Sequence, residues 1–242
     1  MLVPIPAPTT VTNRTDQKVY HDISVAGKPC VVKRNLSPAE FVASPFTHKL
    51  IVMSDLANRM RNEKAAIDFV REHTSIPVPN ILFYMDEGDR VYLGLEDVGG
   101  VRMDRVEDHS DKAKIIKQLD AFTAELATHR SPEIKSFTPA PCFPFALTRY
   151  RYKASPTSFA KCLIEGYPLC HGDLHEANVM VDPQTMQVKA VLDWEHCGYY
   201  PPEIDAARYK SGSNTVVHPD GSTTDYLDFG DKASETLDKL KV

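Results

Sequence analysis

Asp173, Asn178 and Asp193 are the residues in this sequence whose types and spacing most clearly suggest chemistry. Asn178 follows Asp173 by five positions and Asp193 follows it by twenty. The segment after Asn178 reads as a strand, residues 182–187 as a turn, and 188–192 as the returning strand. A hairpin of that kind brings all three side chains to one edge. Two carboxylates and a carboxamide on loop ends suit a hard cation that takes oxygen ligands, and magnesium prefers few protein oxygens plus those of phosphate. Asn178 and Asp193 are therefore the candidate magnesium ligands, and Asp173 is left to face a hydroxyl. A lone Asp after a glycine is usually a turn residue. Here the agreement of the spacings and the flanking sequence favours the chemical reading.

These loops need a scaffold. Upstream, 18–20 and 30–33 read as short strands around the turn Ala26-Gly27-Lys28-Pro29. Ser37-Pro38-Ala39-Glu40 has the form of a capping box. A helix is expected over 55–73, with Leu56, Met60, Ile67 and Val70 on one face and Glu63 beside them. Strands at 81–85 and 91–95 lead into the linker Glu96-Asp97-Val98-Gly99-Gly100. Downstream, Ser110 is expected to cap a helix striped by Ile115, Leu119, Phe122 and Leu126. Residues 131–144 read as irregular and 159–165 as a short helix. Residues 210–224 read as disordered, and 231–241 as a final amphipathic helix. This order predicts a loose segment at 1–15, a strand-rich lobe at 16–98, a helical lobe at 99–209 and a polar, flexible tail at 210–242. Ligands favour the cleft between such lobes.

The bulk numbers fit a globular protein. The chain has 242 residues, 42% of them hydrophobic and 25% charged, with a formal net charge of -5. No basic block is present to neutralise nucleic-acid phosphates, so no nucleic-acid partner is expected. No apolar run is long enough to span a bilayer, so no membrane association is expected. The N-terminus lacks the pattern of a secretory signal. The five cysteines show neither a disulfide framework nor zinc spacing, which leads us to expect reduced thiols and a cytoplasmic location. Oligomeric state is not legible.

The run His171-Gly172-Asp173-Leu174-His175-Glu176-Ala177-Asn178 resembles the catalytic loop of the aminoglycoside phosphotransferase and choline kinase group, relatives of protein kinases. Leu192-Asp193-Trp194-Glu195 resembles that group's metal-binding motif, with Trp-Glu where protein kinases carry Phe-Gly. The stretch 193–205 looks most like fungal members. The resemblance implies a protein-kinase-like α+β fold and ATP- and Mg2+-dependent phosphoryl transfer to a hydroxyl of a small molecule. It makes Asp173 the base and places Asn178 and Asp193 on magnesium. Lys33 of Val31-Val32-Lys33 would contact the nucleotide phosphates, with Glu63 as its ion-pair partner. Glu96 and Val98 would form the hinge that meets adenine. His171 and Asp205 would support the loop.

Three features depart from the family pattern. No G-x-G-x-x-G precedes Lys33, and residues 22–28 hold a single glycine. The stretch from Glu96 to His171 is short, and so is the one after Asp205. The last of these leaves a second reading open, a non-catalytic nucleotide-binding or scaffold protein with a truncated acceptor site.

Overall fold

The computed structural model describes residues 11–15, 17–43, 48, 50, 55–149, 159–205, 208–211, 215–218 and 221–241. Most of the segment expected to be loose at the N-terminus lies outside the described residues. The first lobe comprises β1 (Asn13–Arg14), β2 (Lys18–Val25), β3 (Lys28–Asn35), the helix α1 (Leu56–His73), β4 (Ile81–Asp86) and β5 (Val91–Glu96). Its strands form one antiparallel sheet in the order β1-β2-β3-β5-β4. Apolar residues on one face of α1, including Met60, Ile67 and Val70, are fully buried together with Val91, Leu93 and Leu95 of β5. The same helix also buries Arg59, Asn62 and Glu63. Polar groups that deep require partners: Glu63 finds one in Lys33 of β3, and Arg59 and Asn62 reach across the cleft.

The second lobe runs through β6 (Val101–Arg102), α2 (His109–Leu126), β7 (Arg130–Ser131), β8 (Lys135–Ser136), α3 (Phe145–Arg149), β9 (Tyr167–Cys170), β10 (Val179–Val181), β11 (Val188–Val191), β12 (Gly198–Tyr199), β13 (Thr215–Val217), β14 (Thr223–Asp225) and α4 (Tyr226–Lys239). The expected hairpin is β10–β11, with β6 added to its edge. β9 lies between β7 and β12, and β12 continues to β8. Ile115, Leu119 and Leu126 of α2 and the hairpin valines belong to the same buried cluster as α1. Gly100 lets the linker close against β10: its φ is +93°, and a Cβ there would sit 2.4 Å from the Val181 carbonyl oxygen. No helix among the described residues is long and apolar enough to cross a membrane.

Three expectations are corrected. Asp108, not Ser110, caps α2: its carboxylate accepts the Asp111 N–H, and Ser110 Oγ donates to it as well. Residues 159–165 form no helix, because their backbone reaches sideways. Ala160 N–H donates to Leu240 and Cys162 N–H to Pro132, and Ile164 is left 98% exposed. The stretch expected to be a polar, flexible tail carries the β13–β14 hairpin and α4, which begins at Tyr226, five residues before the amphipathic helix expected over 231–241. Tyr226, Phe229, Ala233 and Leu237 recur at helical spacing and are buried in the main core, so the polar residues between them are one face of a packed helix.

Leu237→Ala is expected to destabilise the protein by about 2–5 kcal/mol, the usual cost of emptying a buried leucine site. Exposed Glu235→Ala should change stability by less than about 0.5 kcal/mol. Urea unfolding of both variants decides the matter, and equal effects would contradict the packing of α4.

Candidate active site

The loop after β9 is held from several sides. Gly172 has φ +81°, and a Cβ there would lie 2.3 Å from the His196 carbonyl oxygen, so glycine is required for the loop to meet the turn Trp194–His196. One ring nitrogen of His171, Nε2, lies 2.9 Å from the Leu192 carbonyl oxygen, while Nδ1 accepts the Asp173 N–H at 3.2 Å. Its ring lies 4.5 Å from that of Trp194, whose indole N–H donates to Val191. Asn178 Nδ2 donates to the Asp173 carbonyl at 3.0 Å, which closes the loop across its five-residue span. Asp205 lies beside the Gly172 backbone and the Cys170 thiol, and burial raises its carboxyl to about 6. The His171 contacts have the geometry of a loop support, and Asp205 is buried against the same loop. Burial also lowers the His171 imidazole to about 4, so it is neutral at physiological pH.

Across the cleft, Lys33 Nζ lies 2.5 Å from Glu63 Oε1 and 2.8 Å from Asp193 Oδ1. Lys18 Nζ reaches the same Asp193 oxygen at 2.9 Å and Glu195 Oε2 at 2.9 Å. Glu195 Oε1 is 3.4 Å from Arg59 Nη1. Asn62 Nδ2 bonds the carbonyls of Glu195 and Cys197. The polar face of α1 is therefore matched to the turn after β11. Burial alone would push the Asp193 carboxyl up. The two ammonium groups outweigh it and hold the carboxyl well below the usual range. Asp193 also sits in the left-handed region at φ +66°, a conformation that a non-glycine residue adopts at some cost. Its two lysine contacts oppose that cost.

Asp173 is almost buried and receives Arg208 Nη1 at 2.7 Å on Oδ1, with His175 Nε2 3.7 Å from Oδ2. Burial raises its carboxyl to about 7 even with the guanidinium beside it, and the nearby Asp193 charge adds to the rise. Burial lowers His175 to about 4, and Arg208 adds to that. Arg208 is aimed by aromatic packing: its guanidinium carbon lies 4.1 Å from the Tyr226 ring centroid and 5.9 Å from that of Phe145. Its neighbour Tyr209 donates to Asp120 of α2.

The structure thus gathers Lys33, Glu63 and Asp193 in one ion-paired group, with Asp173 and Asn178 on the adjoining loop. Glu96 and Val98 stand apart from it. Glu96 pairs with Cys30, three residues before Lys33 on β3, or about 10 Å at strand rise. The hinge backbone is fixed there by Glu96 N–H to Asn80 and Asp97 N–H to Pro29. Sequence reasoning missed Lys18, Arg59 and Arg208. Lys18 had a faint signal, a lysine two residues before Tyr20 on a strand. Arg208 had none beyond standing three residues after Asp205. The glycine at 22–28 is also placed differently from where a phosphate loop would lie. Gly27 is in the β2–β3 turn, at the opposite end of β2 from Lys18.

The Phosphotransferase enzyme family (APH) matches residues 16–230. This chain belongs to that family. No curated protein matches the sequence. Among solved structures, a thermostable mutant of aminoglycoside phosphotransferase APH(4)-Ia, in ternary complex with AMP-PNP and hygromycin B, aligns with a TM-score of 0.50 at 12% identity, over 80% of this chain and 68% of that one. A mutant of aminoglycoside 2'-phosphotransferase-IIIa in its GDP complex aligns with a TM-score of 0.50 at 13% identity, over 84% of this phosphotransferase-family chain and 71% of the other. These likenesses establish the kinase-like two-lobe α+β fold.

Removing the guanidinium with Arg208→Met should move the Asp173 carboxyl titration upward from about 7, as the cation that opposes burial is lost. Carboxyl 13C NMR of labelled aspartate measures it, and an unchanged or lower titration would contradict the contact.

Proposed function

We propose that this protein transfers the γ-phosphate of ATP to a hydroxyl of a small molecule, of aminoglycoside-, choline- or metabolite-like type, with Asp173 as the base. The observation that carries the reading is Lys33 bridging Glu63 and Asp193 at 2.5 and 2.8 Å beside the Asp173 loop. Phosphoryl transfer needs little covalent help, so positioning and charge neutralisation do most of the work. Lys33, oriented by Glu63, meets the nucleotide phosphates. The backbone at Glu96 and Val98, about 10 Å away along β3, meets the base. Asp173 accepts the proton of the acceptor hydroxyl, and Arg208 holds that carboxylate in place.

The residues fit magnesium. Among the described residues there is no cage of three or more His, Cys, Asp or Glu, and magnesium bound with phosphate needs none. Asn178 commits its amide nitrogen to the Asp173 carbonyl, so its oxygen is the atom that remains for a cation. Asp193 stays ionised. These two would hold the ion, which when bound neutralises phosphate charge. The AMP-PNP and hygromycin B held by the aminoglycoside relative support a nucleotide and a small-molecule acceptor here. The complete set of Lys33, Glu63, Asp173, Asn178 and Asp193 favours catalysis over a scaffold role, since a scaffold requires no buried base.

Asp173→Asn should lower kcat by about 10²- to 10⁴-fold while ATP affinity stays within about twofold of wild type, read by ATP consumption and by calorimetric titration. A loss of affinity as large as the loss of rate would remove Asp173 from the role of base. The proton must be absent for the base to work. With the carboxyl at about 7, kcat/KM should fall as pH drops below 7 and level off above it. A profile flat from pH 6 to 8 would contradict this.

A further inference from the structure

Lys18 has no part in the reading above, yet it is 4% exposed and its ammonium group stands within the same site. Its position follows from strand register. Lys33 pairs directly with Tyr20, so Lys18, two residues before Tyr20, shares the face of the sheet that Lys33 uses. Both ammonium groups converge on one atom, Asp193 Oδ1, at 2.9 and 2.8 Å. The Asp193 side chain is 25% exposed, so this paired charge lies at the open side of the cleft.

The residues just before Lys18 lack the glycines of a phosphate-cradling loop: the first glycine of the chain is Gly27. Thr15 N–H donates to the Lys18 carbonyl, and the Gln17 and Lys18 N–H groups donate to Thr15 Oγ1. These three backbone donors, of the kind a glycine-rich loop offers to anions, are used locally. Nor do the carboxylates depend on Lys18 for a counterion. Asp193 also has Lys33, and Glu195 also has Arg59 at 3.4 Å. A buried lysine whose carboxylate partners each have a second cation, at the open side of the cleft beside Lys33, is a cation placed for an incoming anion.

We propose that Lys18 is a second phosphate-contacting lysine, which supplies from β2 an anion contact beside that of Lys33. The inference rests on the phosphotransferase reading and adds a specificity element to it, selection of the phosphorylated nucleotide over the nucleoside.

The test compares calorimetric binding of ATP and of adenosine, each with magnesium, to wild type, Lys18→Met and Lys18→Arg. Asp193 and Glu195 keep other partners, so the variants should fold. If Lys18→Met does not, Lys18→Gln replaces it. Lys18→Met is expected to weaken ATP binding about tenfold or more, the usual effect of losing a charge-assisted hydrogen bond. Adenosine affinity should stay within about twofold, and Lys18→Arg should recover most of the ATP affinity. Unchanged ATP affinity would overturn the proposal. So would a parallel loss for ATP and adenosine, which marks a merely structural lysine. If wild type bound neither ligand, the phosphotransferase reading itself would fall and take this inference with it. That result is separate from a wild type that binds ATP with a Lys18→Met variant that binds it equally well.

Discussion

The structure depends on a seam of alternating charges between its lobes. Glu63, Lys33, Asp193, Lys18, Glu195 and Arg59 follow one another by contact, each positive group beside a negative one. The seam ties β3 to α1, both β2 and β3 to the turn after β11, and α1 back to that turn. Deleting Lys33 would leave buried Glu63 without its ion-pair partner, at a cost of about 3–5 kcal/mol, whereas Asp193 and Glu195 each have two cations. The arrangement therefore fixes where Asp193 can sit, and with it the left-handed backbone at that residue. It also explains why a helix with an apolar stripe carries Arg59, Asn62 and Glu63 at full burial: one side of α1 faces its own sheet, and the other faces the turn Trp194–His196.

The seam sets two contrasting environments within one cleft. Asp193 has two cations on a single oxygen and stays charged. Asp173 has one cation and a dry surrounding, and burial wins. Two carboxylates of one loop-and-hairpin unit are thus separated in proton affinity by their neighbours alone, the division of labour that acid–base chemistry uses. The Arg208 guanidinium moderates the second environment without reversing it, and aromatic rings of α3 and α4 hold it there.

What was legible in the sequence follows from distance along the chain. Asp173, Asn178 and Asp193 lie within one loop and one hairpin, so local turn chemistry brings them together, and the spacing could be read directly. Lys33 and Glu63 are separated by one loop and carried on a strand and a helix whose periodicities were clear. Lys18 meets Asp193 across 175 positions, and that meeting depends on sheet register and lobe closure, which no local pattern encodes. Arg208 is aimed by stacking on Tyr226, a tertiary effect with no short-range signature. Of α4, the part over 231–241 was legible from its amphipathic pattern, and only its first turns, with Tyr226 and Phe229, were hidden behind the polar run before them. The cap of α2 was misplaced by two positions because Asp108 and Ser110 are both good caps, and only geometry separates them.

That last helix bears on how the protein comes into being. The first lobe is built from neighbouring strands and can organise while later segments are still being synthesised. The second lobe has no such freedom. Phe229, Ala233 and Leu237 fill the same core as Ile115 and Leu169, so that core stays unsealed until more than a hundred further residues have followed α2 out of the ribosome. During that interval α3 and the turn Pro202–Ile204, on which α4 packs, stay uncovered. A premature stop before α4 would leave apolar surface of the second lobe exposed, the kind of surface that makes partly folded chains prone to aggregate.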